Sequence, residues 1–283
     1  MKRQILVDTL ILLHSVLYNL VHSLCGKLPP TVSCQIHNFL FFLQRRKIRF
    51  KYRQHLQLYE AKEHDEVKIF GDLQRGFECY SRGFRRRGEF LAHSYCLHEI
   101  EFAPDDIVVD CGANYADLFI FLKSHIKEEN YITFEPGPVE HKCISMNVPD
   151  ARNFNLGLSN EPGELDFYLC SKTGDSSLVR PIKYTDVVKV NVTTLDYFMA
   201  TERIGSCKLL KIEAEGWEPE ILAGAKNFIR KCEYVVIDGG RERGENCELT
   251  FHTLNNYLLK NGFVMQDIYG PSYRACYKNM CLE

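Results

Sequence analysis

The sequence predicts an α/β fold in which helices cover both faces of a mostly parallel sheet. From about residue 105 onwards, short apolar segments of strand length alternate with longer segments of helical spacing. Alternation of this kind is typical of a mostly parallel sheet that is covered on both faces. Acidic residues end several of these segments, at the edge where such sheets bind their ligands.

The predicted elements follow one another without long loops. The strands are expected at 106–112, 130–137, 151–159, 163–170, 207–216, 233–240 and 264–270. The helices are expected at 115–126, 138–148, 217–232 and 250–263. Segment 66–104 is expected to lead into this sheet through small strands, turns and a helix over 88–100. We therefore assign residues 66–283 to one domain and residues 1–65 to a helical extension.

Composition and charge set broad limits on function. The chain has 283 residues, of which 45% are hydrophobic and 25% charged, and its net charge is −2. This is ordinary globular composition, and near-neutral charge gives no argument for nucleic-acid binding. The sequence also lacks a motif for a flipped base, so we expect no nucleic-acid partner. The 12 cysteines show no zinc spacing. We expect most to be reduced and buried, which favours the cytoplasm or the cytosolic face of a membrane.

The first 53 residues are candidates for membrane contact. Residues 5–24 are long enough to span a bilayer, which needs about 20 apolar residues, but Asp8, His14 and Asn19 interrupt them. A second apolar patch at 39–43 runs into the basic stretch 45–53, as is typical of a membrane surface. Peripheral membrane contact, packing on the domain or on a second copy, and a true span remain open.

The first strand-to-helix turn indicates a nucleotide-binding loop. Asp110 ends the strand, Gly112 permits a tight turn, and Asn114 precedes the helix. The second and third glycines of a pyrophosphate-binding loop are missing. A phosphate-free nucleoside that carries positive charge fits better, and S-adenosylmethionine is such a molecule. The alternative, a nicotinamide-dependent oxidoreductase, is disfavoured by the same missing glycines.

Two further strand ends carry acids. Glu135, followed by Pro136, lies 23 residues after Gly112, close to the ~20 residues expected for an acid that binds ribose hydroxyls. Later, "LLKIEAEG" delivers Lys211, Glu213 and Glu215 to a turn, and strand alternation predicts that they share one face. Asp238 ends the next strand.

The chain resembles the FkbM-type methyltransferases, a branch of the class I S-adenosylmethionine-dependent enzymes. Seven segments match in the family's order, over roughly residues 105–265. They are "VVDCGANYADL", "YITFEPGP", "NFNLGLSNEPGELDFY", "GDSSLV", "VNVTTLDYF", "LLKIEAEGWEPEILAGA" and "EYVVIDGG".

The resemblance implies a Rossmann-like sheet of seven strands and methyl transfer, usually to oxygen, on a sugar, glycan or related small molecule. The implied cofactor-binding residues are Asp110, Gly112, Ala113, Asn114, Glu135 and Pro136. The implied acceptor-binding residues are Ser176, Ser177 and Lys211. Two positions depart from the family pattern: Ala116 replaces a glycine and Glu213 replaces an aspartate.

A hydroxyl acceptor must lose its proton during transfer, and the rim acids are the candidates for this role. We expect Glu213 or Glu215 to act as the base, with Asp238 behind them. The same acids could instead hold a divalent cation that acidifies the hydroxyl. The two departures also leave open an alternative function, a binding or scaffold protein that kept the fold without turnover.

Overall fold

The computed structural model describes residues 27–170 and 172–282. The chain divides into two compact units, residues 1–83 and residues 84–283. Segment 5–24, the first candidate for membrane contact, lies outside the described residues. None of the helices in the described ranges is both long and apolar enough to cross a membrane.

The first unit contains helices α1 (Pro30–Leu43) and α2 (Leu73–Tyr80) and a small antiparallel sheet. The sheet is formed by β1 (Arg49–Arg53), β2 (Leu58–Glu63) and β3 (Glu66–Phe70), in that order. Asp72 caps α2 by accepting hydrogen bonds from the backbone of Gln74 and Arg75. Buried rings of Phe41, Phe50 and Phe77 pack together in the core.

Part of this unit differs from the helical extension expected for residues 1–65. Residues 49–53 and 58–63 form strands. The reason is visible in "RFKYR", where basic and aromatic residues alternate with the period of two that suits a strand. Residues 73–80, expected as strands and turns, form α2 instead. The compact units also divide at Gly83, whereas the boundary expected from sequence lies at residue 65.

The second unit is built on a large mixed sheet. Its described strands, in spatial order, are β14 (Phe263–Tyr269), β15 (Arg274–Asn279), β11 (Cys232–Asp238), β10 (Cys207–Ile212), β4 (Val108–Cys111), β5 (Tyr131–Phe134) and β6 (Arg152–Phe154). The four neighbouring pairs from β11 to β6 are parallel, and β15 is antiparallel to both of its neighbours.

The helices of this unit are short. They are α3 (Phe84–Ser94), α4 (Phe119–Leu122), α5 (Pro138–Asn147), α6 (Leu195–Thr201), α7 (Glu218–Ala223) and α8 (Phe251–Lys260). Two 3-10 turns lie at Glu128–Asn130 and Ile229–Lys231. Thr194 caps α6 through its side chain, and prolines occupy the first turns of α5 and α7.

Two apolar clusters show how the helices cover the sheet. Val109 on β4 packs in a cluster with Leu195, Leu222 and Leu254, which come from α6, α7 and α8. The neighbouring Val108 packs in a second cluster with residues of α3, α4 and α5: Leu91, Leu122 and Ile144. Because successive strand residues point to opposite faces, the two clusters lie on opposite faces of the sheet.

Two smaller sheets complete the described part of this unit. One contains β7 (Gly157–Leu158), β8 (Gly163–Leu169) and β9 (Asp186–Thr193), in the order β7-β9-β8. The other is the hairpin of β12 (Arg241–Arg243) and β13 (Glu248–Leu249).

Several elements differ in extent from the sequence prediction. Segment 151–159 is split between two sheets, since β6 joins the large sheet and β7 joins β9. The helices expected at 115–126 and 217–232 are α-helical only in α4 and α7. The last strand, β15, was not predicted, although it lies between β14 and β11.

Candidate active site

The predicted acids meet at the carboxyl ends of three parallel strands. Asp110 on β4 is in register with Lys211 on β10 and with Thr133 on β5. Glu135 follows β5 directly, and Glu213 follows β10. Parallel pairing therefore brings side chains that are more than 100 residues apart in sequence to one edge of the sheet.

Lys211 lies at the centre of this edge and is buried. Its ammonium group is 2.8 Å from Asp110 Oδ1 and 3.1 Å from Glu213 Oε2, and it donates to the carbonyl of Gly112 at 2.8 Å. Burial alone would lower the pKa of Lys211, but Asp110 and the other anionic neighbours raise it well above its usual value. These contacts link the end of β4 to the end of β10.

Glu213 is held by a second cation. Arg274 Nη2 lies 2.5 Å from Glu213 Oε1, and the Tyr95 hydroxyl donates to Glu213 Oε2. Burial would raise the pKa of Glu213, but Arg274 and Lys211 outweigh it and hold this pKa below its usual value. Glu213 is therefore a carboxylate with every oxygen occupied.

Asp238 shares the same arginine. Its Oδ2 lies 2.6 Å from Arg274 Nε, and its Oδ1 accepts from the backbone of Gly240 at 3.1 Å. Burial raises the pKa of Asp238 to about 6, with Glu213 adding to the effect. Asp238 and Glu213 therefore share Arg274 as their ion-pair partner.

The turn after β4 approaches the end of β10 closely. Gly112 has φ +76°, and a Cβ built on it would lie 1.9 Å from the backbone oxygen of Glu213. Gly112 and Ala113 donate to the carbonyl of Phe134 on β5. Ala116 is buried with φ +58°, so it adopts the left-handed conformation that favours glycine. The methyl group of Ala116 therefore fits at a position where the family pattern has glycine, and the turn after β4 still forms.

Glu135 is oriented by this turn. Its Oε2 accepts from the backbone of Asn114 at 2.8 Å and its Oε1 from the backbone of Gly137 at 2.9 Å. A Cβ on Gly137 would lie 3.0 Å from Glu135 Oε1 and 2.4 Å from Glu140 Oε2. Both carboxyl groups therefore lie close to Gly137. Burial raises the pKa of Glu135 to about 8, and Glu140 contributes. Pro136, half-buried, ends the strand here.

The turn at Glu215 is held through its backbone. Glu215 and Gly216 have φ +51° and +94°. Ser177 Oγ donates to the carbonyl of Glu215 at 2.8 Å, and Arg243 Nη1 donates to the carbonyl of Gly216 at 2.6 Å. Buried Glu218 accepts from the backbone of Ala214 and Gly216 at 2.8 and 3.1 Å. Three separate segments therefore hold a turn whose conformation is costly by itself.

Strand β10 ends at Ile212 and Glu215 has a positive φ, so strand alternation does not determine the direction of the Glu215 side chain. Within residues 27–170 and 172–282, no lysine, arginine or histidine forms an ion pair with Glu215 or Glu242. Burial raises the pKa of Glu215 well above its usual value, and Glu242 adds to it. Burial also raises the pKa of Glu242 to about 9. In the same ranges, these two carboxyls lack the ion-pair partners that Asp110, Glu213 and Asp238 have.

The two serines expected to border the acceptor have different roles in the structure. Ser177 is buried, and besides holding Glu215 its hydroxyl accepts from the backbone of Val179 at 3.0 Å. Ser176 is half-buried and accepts from the backbone of Cys170 at 2.8 Å. Ser177 thus ties its loop to the Glu215 turn.

The donor set suits a cationic nucleoside in two respects. Glu135 presents an oriented carboxyl group at the end of β5, and the rim holds carboxyls in excess of its cations. Gly112 packs against protein, so it serves the turn itself rather than a phosphate. Among the described residues, no group of three or more His, Cys, Asp and Glu side chains is arranged to hold a metal ion.

Several residues of this region were not identified from sequence. They are Tyr95, Tyr131, Glu140, Glu218, Glu242, Arg243 and Arg274. Tyr131 donates to Asp110, and Arg274 lies in the strand that was not predicted. Arg274 pairs with a carboxylate 61 positions earlier. No local motif signals such a contact, although Glu242 and Arg243 follow the "DGG" turn closely enough to be candidates.

Comparison with known proteins identifies the family. Residues 110–265, more than half of the chain, match the model of the methyltransferase FkbM domain. The 2-O-methyltransferase NoeI of Sinorhizobium fredii (strain NBRC 101917 / NGR234) is 23% identical over 187 residues, covering 59% of this chain and 76% of NoeI. Methyltransferase 1 of Beauveria bassiana (strain ARSEF 2860) is 24% identical over 196 residues, covering 60% of this chain and 77% of that protein.

A solved structure of the same family is also similar. It is the methyltransferase FkbM from Methylobacillus flagellatus KT, with a TM-score of 0.44 and 15% identity. The similarity covers 64% of this chain and 45% of that one. The match of the family model over residues 110–265 agrees with the resemblance seen in the sequence motifs. The chain belongs to the FkbM-domain methyltransferase family.

Proposed function

We propose that this methyltransferase uses S-adenosylmethionine and methylates a hydroxyl group on a sugar, a glycan or a related small molecule. The charge balance at the sheet edge carries the proposal. Lys211 and Arg274 pair with Asp110, Glu213 and Asp238, whereas Glu215 and Glu242 have no basic partner among the described residues. Half-buried carboxyls that have no cation beside them favour a positively charged ligand.

Glu135 is the residue that we expect to hold the cofactor's ribose. Each of its oxygens accepts one backbone N–H and keeps a lone pair for a hydroxyl donor. Asp110, Gly112, Ala113 and Asn114 shape the adjacent turn. S-adenosylmethionine, when bound, supplies a methyl group on a positively charged sulfur. Most of the rate enhancement then has to come from holding the acceptor in line, an effect worth up to ~7–11 kcal/mol.

Glu215 is the best candidate for the base. The oxygens of Glu213 are taken by Arg274, Lys211 and Tyr95, and its lowered pKa makes it a weak proton acceptor. Glu215 has a raised pKa, so it needs a nearby positive charge in order to be ionised at neutral pH. A cationic cofactor meets this need, and a positioned base typically adds ~10²–10⁴-fold.

Oxygen as the methylated atom is supported by the printed name of one relative, a 2-O-methyltransferase. The loop of Ser176 and Ser177 is proposed to border the acceptor, because it is attached to the Glu215 turn. Lys211 is proposed to position Asp110 and Glu213 rather than to contact the acceptor directly. The cytoplasmic location expected from the cysteines remains a proposal.

Calorimetric titration of S-adenosylmethionine and S-adenosylhomocysteine tests the cofactor assignment. The wild type is expected to bind both. Glu135→Gln should weaken binding at least tenfold, because it removes an acceptor for a ribose hydroxyl. Glu161→Gln, which changes an exposed acid without a side-chain partner among the described residues, is the control and should bind as the wild type does.

Transfer of a labelled methyl group to mixed glycans and small hydroxyl compounds tests the reaction. At saturating S-adenosylmethionine, Glu215→Gln should transfer the label at least ~100-fold more slowly than the wild type. If the folded wild type binds neither cofactor form, the alternative becomes the better account, namely a binding or scaffold protein with the methyltransferase fold.

A further inference from the structure

Helix α1 has apolar side chains on two of its faces. One face contains Cys34, His37 and Phe41, which are buried in the first unit. The other contains Val32, Ile36, Phe39 and Leu43, which follow one another at helical spacing, with Phe42 beside them. One apolar face is enough to anchor a helix on its own unit, so the second face needs a separate explanation.

The second face is open to solvent. Phe39, Phe42 and Leu43 are 60%, 66% and 60% exposed. A single exposed apolar side chain is ordinary on a protein surface. Three large ones on the last two turns of the same helix form a continuous patch, and such patches mark a contact with a protein or a membrane.

Exposed cations follow this patch directly. Arg45, Lys47, Arg49 and Lys51 are all exposed, and they lie within eight residues after Leu43. In the described ranges, neither Arg45 nor Lys47 forms an ion pair with an acid. Both residues come directly after α1, so unpaired positive charge follows the end of the helix that carries the apolar patch. Arg49 and Lys51 alternate with Phe50, which packs on the buried face of α1, so these two cations point away from the helix.

We propose that this docking face, Phe39, Phe42 and Leu43 together with Arg45 and Lys47, binds a membrane surface that contains anionic lipid. Apolar side chains placed beside cations suit the boundary between acyl chains and phosphate head groups. The cations complement an anionic surface, whereas a second copy of the chain would bring the same positive charges. The proposal concerns the first unit and does not depend on methyl transfer.

Vesicle co-sedimentation of the full chain tests this proposal. Wild type is expected to bind phosphatidylcholine vesicles that contain phosphatidylserine at least tenfold more tightly than vesicles without it. Arg45→Gln/Lys47→Gln should weaken binding to the anionic vesicles about tenfold. Phe39→Ser/Phe42→Ser should abolish binding to both kinds of vesicle. Leu259→Ser replaces an exposed apolar residue of α8 and should have no effect.

Three results would overturn the proposal. The first is that folded wild type fails to co-sediment with anionic vesicles. The second is a dimer, seen by light scattering, that Phe39→Ser/Phe42→Ser converts to monomer, since the face would then bind a second copy. The third is a lower melting temperature for that variant than for Leu259→Ser, which would show that the face is covered within the chain.

Discussion

Arg274 and Glu213 form an ion pair of 2.5 Å, although they come from different strands at the edge of the large sheet. The same guanidinium lies 4.6 Å from the ring centre of Tyr95 and pairs with Asp238. Arg274 therefore connects both acids that end β10 and β11. Because Arg274, Lys211 and Tyr95 contact the carboxylate of Glu213, we propose Glu215 rather than Glu213 as the base.

Arg274→Met should destabilise the protein by about 3 kcal/mol, because it leaves two buried carboxylates without their shared cation. Urea unfolding measures this loss. Arg152→Met is the matched control, since Arg152 pairs with Glu202 at the surface and its removal should cost ~1 kcal/mol or less. Equal losses for the two variants would show that the Arg274 pairs contribute no more than a surface pair.

Glu135 should make the protein less stable as the pH rises. Burial raises its pKa to about 8 in the folded state, compared with its ordinary value of 4.5. The folded state therefore binds this proton more tightly. The contribution of this bound proton to the free energy of unfolding is fully present below pH 4.5 and is lost as the pH rises through 8.

Chemical unfolding at a series of pH values tests this expectation. Glu135→Gln should show a shallower loss of stability over this range than the wild type does. Glu218 and Glu242, whose pKa values are raised to about 7 and about 9 mainly by burial, act in the same direction and remain in the variant. Glu161→Gln should follow the wild type. Parallel curves for Glu135→Gln and wild type would contradict the burial effect at Glu135.

Gly112→Ala should destabilise the protein by more than ~2 kcal/mol, since the added Cβ collides with the backbone of Glu213 and the φ of +76° disfavours any side chain. Gly163→Ala is the control, because a Cβ there meets no atom within 4 Å. Thermal unfolding of the two variants should separate them clearly. A mild effect at Gly112 would mean that the two strand ends are further apart than described.

Arg243 and Glu220 should be energetically coupled. Arg243 donates to both oxygens of Glu220 at 2.9 and 2.6 Å while it also holds the carbonyl of Gly216. In a double-mutant cycle with Arg243→Gln and Glu220→Gln, we expect a coupling free energy of about 1 kcal/mol. Additive losses would indicate that Arg243 acts through Gly216 alone.

The sequence predicted the alternation of strands and helices and the meeting of Asp110, Glu135 and Glu213, because parallel pairing places strand ends together. It could not predict the contacts of these acids. Arg274 reaches Glu213 from a strand outside the recognised motifs. Within the described part of the chain, Glu215 has no ion pair because Lys211 and Arg274 pair with Asp110, Glu213 and Asp238 instead. Which acids take part in catalysis remains a prediction.

Element boundaries were less predictable for physical reasons. Helix α7 ends at Ala223, and Gly224 follows with a backbone that packs against Ser159. This contact is long-range, so apolar spacing alone suggested a helix that continued to residue 232. The strands of the first unit were different, because the alternation in "RFKYR" was present in the sequence.

The turn at Glu215 is held by its backbone, whereas the proposed proton transfer would use its side chain. Ser177 holds the carbonyl of residue 215, and Arg243 and Glu218 hold its neighbours. None of these bonds uses the side chain at 215. Aspartate and asparagine tolerate a positive φ better than most residues, so a series of replacements can vary acidity and reach there while the turn persists. The reaction could thus be altered or retuned at one position without rebuilding the protein around it.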